Sequence, residues 1–271
     1  MPQIPRIPKR VSKSLLPDVS FSDYGDARYL HLGGTDWVQG SMLLDAPFDL
    51  ELEYVQRMMA WLLFVPDLSA SAPARLHAMQ LGLGAGSLTK FCYKKLRMKT
   101  TAIELNAQVV AACRLWFKLP ADNARLHVVL GDAQEVAAHP LWHGKVDALQ
   151  VDLYDQEAEG PVLDSVEFYA DCRQLLTEQG VMTVNLFGRS SNFTQSLNTI
   201  AGVFGRQAVW AFKPTREGNT IVVALRQSQK VTRAMLAERA ACIQTLCGLP
   251  AAKWLKVFKP IAMTNVAAAP A

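Results

Sequence analysis

Between Pro73 and Phe187 short apolar runs alternate with amphipathic runs at regular intervals. HAMQLGL reads as a buried strand, Ser87 to Lys95 as a helix, TTAIEL as a strand and Ala107 to Phe117 as a helix. RLHVVL, a short helix near Ala133, VDALQVDLY, a helix from Ser165 to Leu176 and GVMTVNLF continue the alternation. Strands without a polar face, separated by helices, predict βαβ units and a mainly parallel sheet covered on both faces. No element is read between Phe187 and Ala208. Ala208 to Phe212 and Thr220 to Leu225 are then two β-rich runs joined by KPTREGN, too close for a crossover helix, so they should pair antiparallel.

Upstream, ARYLHLGGTDWVQGSMLLD predicts a hairpin around Gly33-Gly34-Thr35-Asp36, and Leu50 to Phe64 predicts a helix stopped by Pro66. Val231 to Leu246 predicts a last helix, followed by a frayed TNVAAAPA tail. The expected organisation is a flexible basic arm at 1–20 and a small N-terminal β/helical domain at 21–75. A nucleoside-binding Rossmann-like domain at 76–228 and a C-terminal helix with its tail at 229–271 complete it. A parallel sheet ending in an antiparallel hairpin is the α/β layout of the class I S-adenosylmethionine-dependent methyltransferase-like folds, an analogy at the level of fold.

Composition narrows the class. With 271 residues, half of them apolar, the chain can bury a core, and no apolar run approaches the roughly 20 residues of a membrane span. The basic, proline-rich start lacks the apolar stretch of a secretory signal, and five cysteines show no CxxC pair or zinc spacing. These features predict reduced thiols, no metal, no membrane partner and a cytoplasmic location. A net charge of +4, concentrated only in the first thirteen positions, gives no ground for a nucleic-acid partner.

The chemistry gathers at strand ends, where ligands sit in open α/β sheets. LGLGAGS places Gly82, Gly84 and Gly86 at the first strand-to-helix turn with GxGxG spacing. The dinucleotide fingerprint would need a glycine at Ser87, and the phosphate-loop lysine is absent, so a nucleoside with a sulfur-bearing tail fits as well as a pyrophosphate. Glu104 ends the second strand, where a carboxylate can accept both ribose hydroxyls; it could equally serve the dipole of the next helix. Asp132 and Ala133 follow the third strand and could meet adenine, although an aspartate there also suits a helix N-cap. Asp152, Tyr154 and Asp155 follow the fourth, in VDLYD. Two carboxylates at the mouth of the pocket would attract and deprotonate a cationic amine, or else would bond loop amides and solvent.

LGLGAGSLTKF, AIELN, VVLGDA, VDLYD and LDSVEFYADCRQLLTEQGVMTVNLF together resemble the spermidine synthase family of polyamine aminopropyltransferases, from roughly Gln39 to Leu225. The resemblance implies a small N-terminal β-domain on a methyltransferase-like sheet, with decarboxylated S-adenosylmethionine as co-substrate and an amine such as putrescine as acceptor. It implies Glu104 on the ribose, Asp132 and Ala133 on the adenine, Asp152 as catalytic acid of the DxxD motif, Asp155 and Tyr154 toward the amine, and a homodimer. The chain departs from the family in places. Its loop reads GLGAGS where the family has GGGDGG, placing Ala85 at the acid position. Tyr54 is offset by one from the family's tyrosine before a Q/H-E-M run, Arg57 replaces the acid there, and KPTREGN lacks the late-loop tyrosine. Two further readings stay open: a methyltransferase using intact S-adenosylmethionine, and a nucleoside-binding protein without catalysis. Against the first, Gln80 stands where many methyltransferases carry an acid.

Overall fold

The computed structural model describes residues 16–34, 38–66, 68–69, 71–154, 162–187 and 190–261, without the side chains of 190–192. Strands β1 (Val19–Tyr24), β2 (Ala27–Leu32) and β3 (Gly40–Leu43) form an antiparallel sheet in that order. The main sheet holds β4 (His77–Leu81), β5 (Lys99–Glu104), β6 (Leu126–Leu130), β7 (Val146–Val151), β8 (Leu176–Leu186), β9 (Val209–Phe212), β10 (Thr220–Leu225) and β11 (Phe258–Pro260). Their order is β11-β9-β10-β8-β7-β4-β5-β6. From β6 to β8 all neighbours are parallel, while β10, β9 and β11 pair antiparallel. The chain leaves β4 toward β5 and later returns to its other side with β7, so the switch point lies beside β4. The expected class, with its antiparallel terminal hairpin, is the one observed.

Helices α1 (Glu53–Arg57), α2 (Ser87–Lys94), α3 (Ala107–Trp116), α4 (Ala133–Ala138), α5 (Val166–Leu175), α6 (Ser190–Phe204), α7 (Arg233–Cys247) and α8 (Ala251–Trp254) complete the chain. Several starts were legible because short polar side chains take the first orphan amides. Asn106, Asp132, Ser165 and Thr232 accept from Gln108, Gln134, Phe168 and Met235 N–H, and α7 stops at Gly248 with φ +71°.

Strands β4 and β10 are buried along their whole length, polar His77, Gln80 and Thr220 included. One core fills the face under α2 and α7 through Phe91, Leu236 and Ile243; another fills the opposite face under α4, α5 and α6 through Val136, Phe168 and Ile200. A third, smaller cluster joins Leu30 and Met42 of the N-terminal sheet to Leu83, Ala85 and Cys113, tying that sheet to the glycine turn.

Four differences from the expectation have physical causes. Leu50 to Phe64 is not one helix: α1 ends at Arg57 and Met58–Phe64 continues as a 3-10 helix with every residue buried. MMAWLLF is apolar all round, so its packing between β8 and α7 decides its winding rather than an amphipathic period. Strand β1 lies before the expected hairpin; its residues are almost all exposed despite the apolar–polar alternation of Val19 to Ser22, and it is held by backbone pairing to β2. Helix α6 fills the gap left between Phe187 and Ala208, and β11 adds an edge strand to β9 where only a helix and tail were expected. The remaining tail from 262 on, the arm up to 15 and the turn residues 35–37 lie outside the described residues. All five cysteines are free thiols.

Candidate functional site

The carboxyl ends of β4, β5, β6 and β7 open into a cavity of about 1040 Å³, roofed by the N-terminal sheet and α1. Gly82 and Gly84 line it, whereas Gly86 sits just behind as the left-handed N-cap of α2. All three have positive φ. A Cβ on Gly82 would stand 2.1 Å from the Asp152 carbonyl oxygen, and one on Gly84 would stand 3.0 Å from the Gln39 carbonyl. The first glycine is therefore required by the close passage of the β7 end, and the second by the N-terminal sheet lying over the turn.

Ala85 belongs to the packing and does not line the cavity. It is 2 % exposed, and a Cβ on Gly40 would come within 2.9 Å of its methyl group. An aspartate at this position would have to bury a carboxylate in an apolar cluster, which costs far more than a methyl group. Gln80 is likewise buried away from the cavity, where its side-chain oxygen accepts from the Thr89 hydroxyl.

Glu104 lines the cavity at the end of β5. One oxygen accepts from Leu83 N at 2.9 Å and the other from Asn106 N at 2.8 Å. Each oxygen keeps a lone pair for a further donor, which suits a vicinal diol. Burial pushes its pKa upward and the backbone donors pull it back. Asp132 is the N-cap of α4, accepting from Gln134 N at 2.7 Å, and with Gly131 and Ala133 it also lines the cavity. Its capping role leaves its second oxygen without a bond to the chain, so cap and ligand contact are compatible here.

Asp152 follows β7. Its Oδ1 accepts from Asn185 Nδ2 at 2.9 Å, and the Tyr54 hydroxyl bonds the same carboxyl group. Burial raises its pKa to about 6, against the opposing pull of those two donors. The Tyr54 hydroxyl is pushed well above the usual phenol value by burial and by the Asp152 charge. The Tyr154 hydroxyl donates to Asn185 O at 2.8 Å and accepts from Phe187 N at 2.5 Å. With its hydroxyl committed to the end of β8, Tyr154 presents mainly its ring to the cavity. Asp155 lies outside the described residues.

Three residues reach the site that strand-end reasoning passed over. Tyr54, at the start of α1, meets Asp152 despite its offset in sequence. Asn185, near the end of β8, supports the same carboxylate, and Asn219, which lines the cavity with it, lies 3.1 Å from Asn185. The polar interruption VNLF was the available signal for Asn185, and the resemblance of LELEYVQRMM to a family segment was the signal for Tyr54; nothing local marks Asn219.

The cavity wall carries six carboxylates, Glu51, Glu53, Glu104, Asp132, Asp152 and Glu217, and no lysine, arginine or histidine among the described residues. Such a wall favours a ligand with more than one positive charge and no negative group. No metal-binding cluster occurs among the described residues, and no described helix is long and apolar enough to cross a membrane.

No family model matches the chain. Among curated proteins, a polyamine aminopropyltransferase of Neisseria meningitidis serogroup B is 33% identical over 223 residues, 82% of this chain and 81% of the relative. Another from Chromobacterium violaceum is 31% identical over 225 residues, 83% of this chain and 82% of the relative. Among solved structures, a probable spermidine synthase from Corynebacterium glutamicum has a TM-score of 0.68 at 20% identity, covering 86% of this chain and 85% of that one. Human methyltransferase-like protein 13, in complex with SAH, has a TM-score of 0.63 at 20% identity, covering 80% and 98%. The two structures share the fold, and the sequence relatives, matched along most of their length, place the chain in the polyamine aminopropyltransferase family.

Proposed function

We propose that the protein transfers the aminopropyl group of decarboxylated S-adenosylmethionine to a primary amine such as putrescine. The observation that carries this reading is the cavity wall, with six acids and no described base. The decarboxylated nucleoside brings a sulfonium and an ammonium but no carboxylate, whereas intact S-adenosylmethionine would set its carboxylate against this acidic wall. Glu104 would take the ribose hydroxyls and the Gly131-Asp132-Ala133 turn the adenine.

An alkylamine with a pKa near 10 is almost wholly protonated at neutral pH and cannot attack. Asp152, flanked by Tyr54, takes that proton. The freed nitrogen pair forms the N–C bond as the C–S bond breaks, its electrons pass to sulfur, and methylthioadenosine leaves as a neutral thioether. The wall's contribution beyond this is alignment and exclusion of water. Glu51 and Glu217 give an ammonium at the far end of a diamine a choice of counter-charges, whereas Glu53 is already paired with Arg57 at 2.6 Å, and Asp155 would add another.

Calorimetric titration with decarboxylated S-adenosylmethionine, the intact form and methylthioadenosine tests the assignment. Tighter binding of the decarboxylated form by tenfold or so is expected. Preference for the intact form would replace aminopropyl by methyl transfer, and no binding of any would refute both.

A further inference from the structure

Asn185 and Asn219 form a directed pair behind Asp152. Asn219 Nδ2 lies 3.1 Å from Asn185 Oδ1, and Asn185 Nδ2 lies 2.9 Å from Asp152 Oδ1. Both amides are buried, 8 and 4 % exposed. Their orientation follows from their neighbours. An ionised carboxylate only accepts, so Asn185 must turn its NH2 group to Asp152; its carbonyl then faces Asn219, which must donate. Each bond polarises the next. Once Asp152 gains a proton, turning the Asn185 oxygen toward it would set the Asn185 NH2 group against that of Asn219 unless the Asn219 amide turned with it.

The turn that carries Asn219 is tied closely. Thr215 N donates to Asn219 O at 2.7 Å, Gly218 N donates to Thr215 O at 3.2 Å, and Asn219 N donates to Thr215 Oγ1 at 3.2 Å. Gly218 has φ +100°, and a Cβ there would meet the Phe187 ring at 3.3 Å. Thr215 and Asn219 are both buried although they lie in a surface hairpin. The bonds that tie this turn hold the Asn219 side chain toward the end of β8.

The charges around Asp152 give these neutral donors their importance. Tyr54 of α1 and Tyr154 after β7 face it, and Glu51, Glu53, Glu104, Asp132 and Glu217 line the same cavity, with no basic side chain among the described lining residues. No described cation offsets the burial of Asp152. We propose that Asn219 is a positioning residue which, by fixing the amide of Asn185, holds Asp152 as the unprotonated acceptor of the substrate's ammonium proton. The identity of that proton rests on the aminopropyl-transfer reading; the coupling of Asn219 to Asp152 does not.

The test follows the Asp152 carboxyl by carbon-13 NMR across pH, with the signal assigned through Asp152→Asn, and in parallel the pH profile of kcat/KM with putrescine. In Asn219→Leu the titration midpoint of Asp152 and the acid limb of the profile should both move up by about one unit, a tenfold change in proton affinity. Asn185→Leu should move them at least as far, and the double variant no further than Asn185→Leu alone, because Asn219 acts through Asn185. An unmoved midpoint in Asn219→Leu, or an equal shift when Asn185 is already Leu, would overturn the proposal. Should Asn219→Leu fail to fold, Asn219→Ala carries the same comparison. If the protein proves to lack transferase activity, the NMR midpoint still decides the coupling, so the two failures show up in different measurements.

Discussion

Asp152 is a carboxylate whose site works against its charge, and this gives it two measurable signatures. Its pKa of about 6 lies above the reference of 3.8, so the folded protein binds its proton more tightly than the unfolded chain. Wild-type stability should therefore rise as pH falls from about 6 toward 4 and be flat in this contribution above 6. Asp152→Asn lacks that slope. Thermal and denaturant unfolding should show the variant more stable than wild type at pH 8, on the order of 1–3 kcal/mol, with the gap about halved near pH 5 and closed below about pH 4. The same variant should lose putrescine turnover by a hundredfold or more, as expected when a positioned base is removed, while methylthioadenosine binding stays within a few-fold. Glu104 behaves differently because both its oxygens already serve backbone N–H groups. Glu104→Gln keeps one acceptor and sets an NH2 against the other donor, so a loss of about 1–3 kcal/mol of stability is expected. Calorimetry should show nucleoside affinity reduced about tenfold in the same variant, as the diol loses an acceptor.

At the scale of elements, the strands and the capped helices followed from local chemistry, and the exceptions are segments whose partners are remote. Met58–Phe64 is the clearest case. Trp61 is 1 % exposed, and its indole N–H is buried without a hydrogen-bond partner among the described residues. The residue is there for its bulk. Trp61→Ala should cost about 3–5 kcal/mol in chemical denaturation. Trp61→Phe, which keeps a ring and removes the unpaired donor, should cost less than about 1.5 kcal/mol. A comparable loss in both would mean that the indole N–H has a partner in solution. The glycine turn shows the converse: its signal in sequence is strong, yet Gly82 is demanded by the Asp152 carbonyl and Gly84 by Gln39. Ala85 departs from the family's acid because the N-terminal sheet, through Gly40, covers that position.

For the whole molecule, the cavity forms only when the N-terminal sheet, α1 and the terminal hairpin close over the strand ends, so ligand binding and global folding are linked. Methylthioadenosine at about 100 times its Kd should add about 2.7 kcal/mol to folding and raise the melting temperature by several degrees. The gain should fall to about 1.4 kcal/mol in a Glu104→Gln protein at the same ligand concentration, since a tenfold weaker affinity leaves the ligand at only about ten times its Kd. The apolar alternation, the polar caps and the order of glycines and acids at successive strand ends determined the sheet, its class and the half of the cavity built from Gly82, Gly84, Glu104 and Asp132, because these depend on residues near each other in sequence. Tertiary structure alone decided that Tyr54, Asn185 and Asn219 converge on Asp152, that Ala85 is packing, and that the wall is acidic without a described base. Those residues are distant in sequence, and their meeting depends on how the layers close, which local periodicity does not encode.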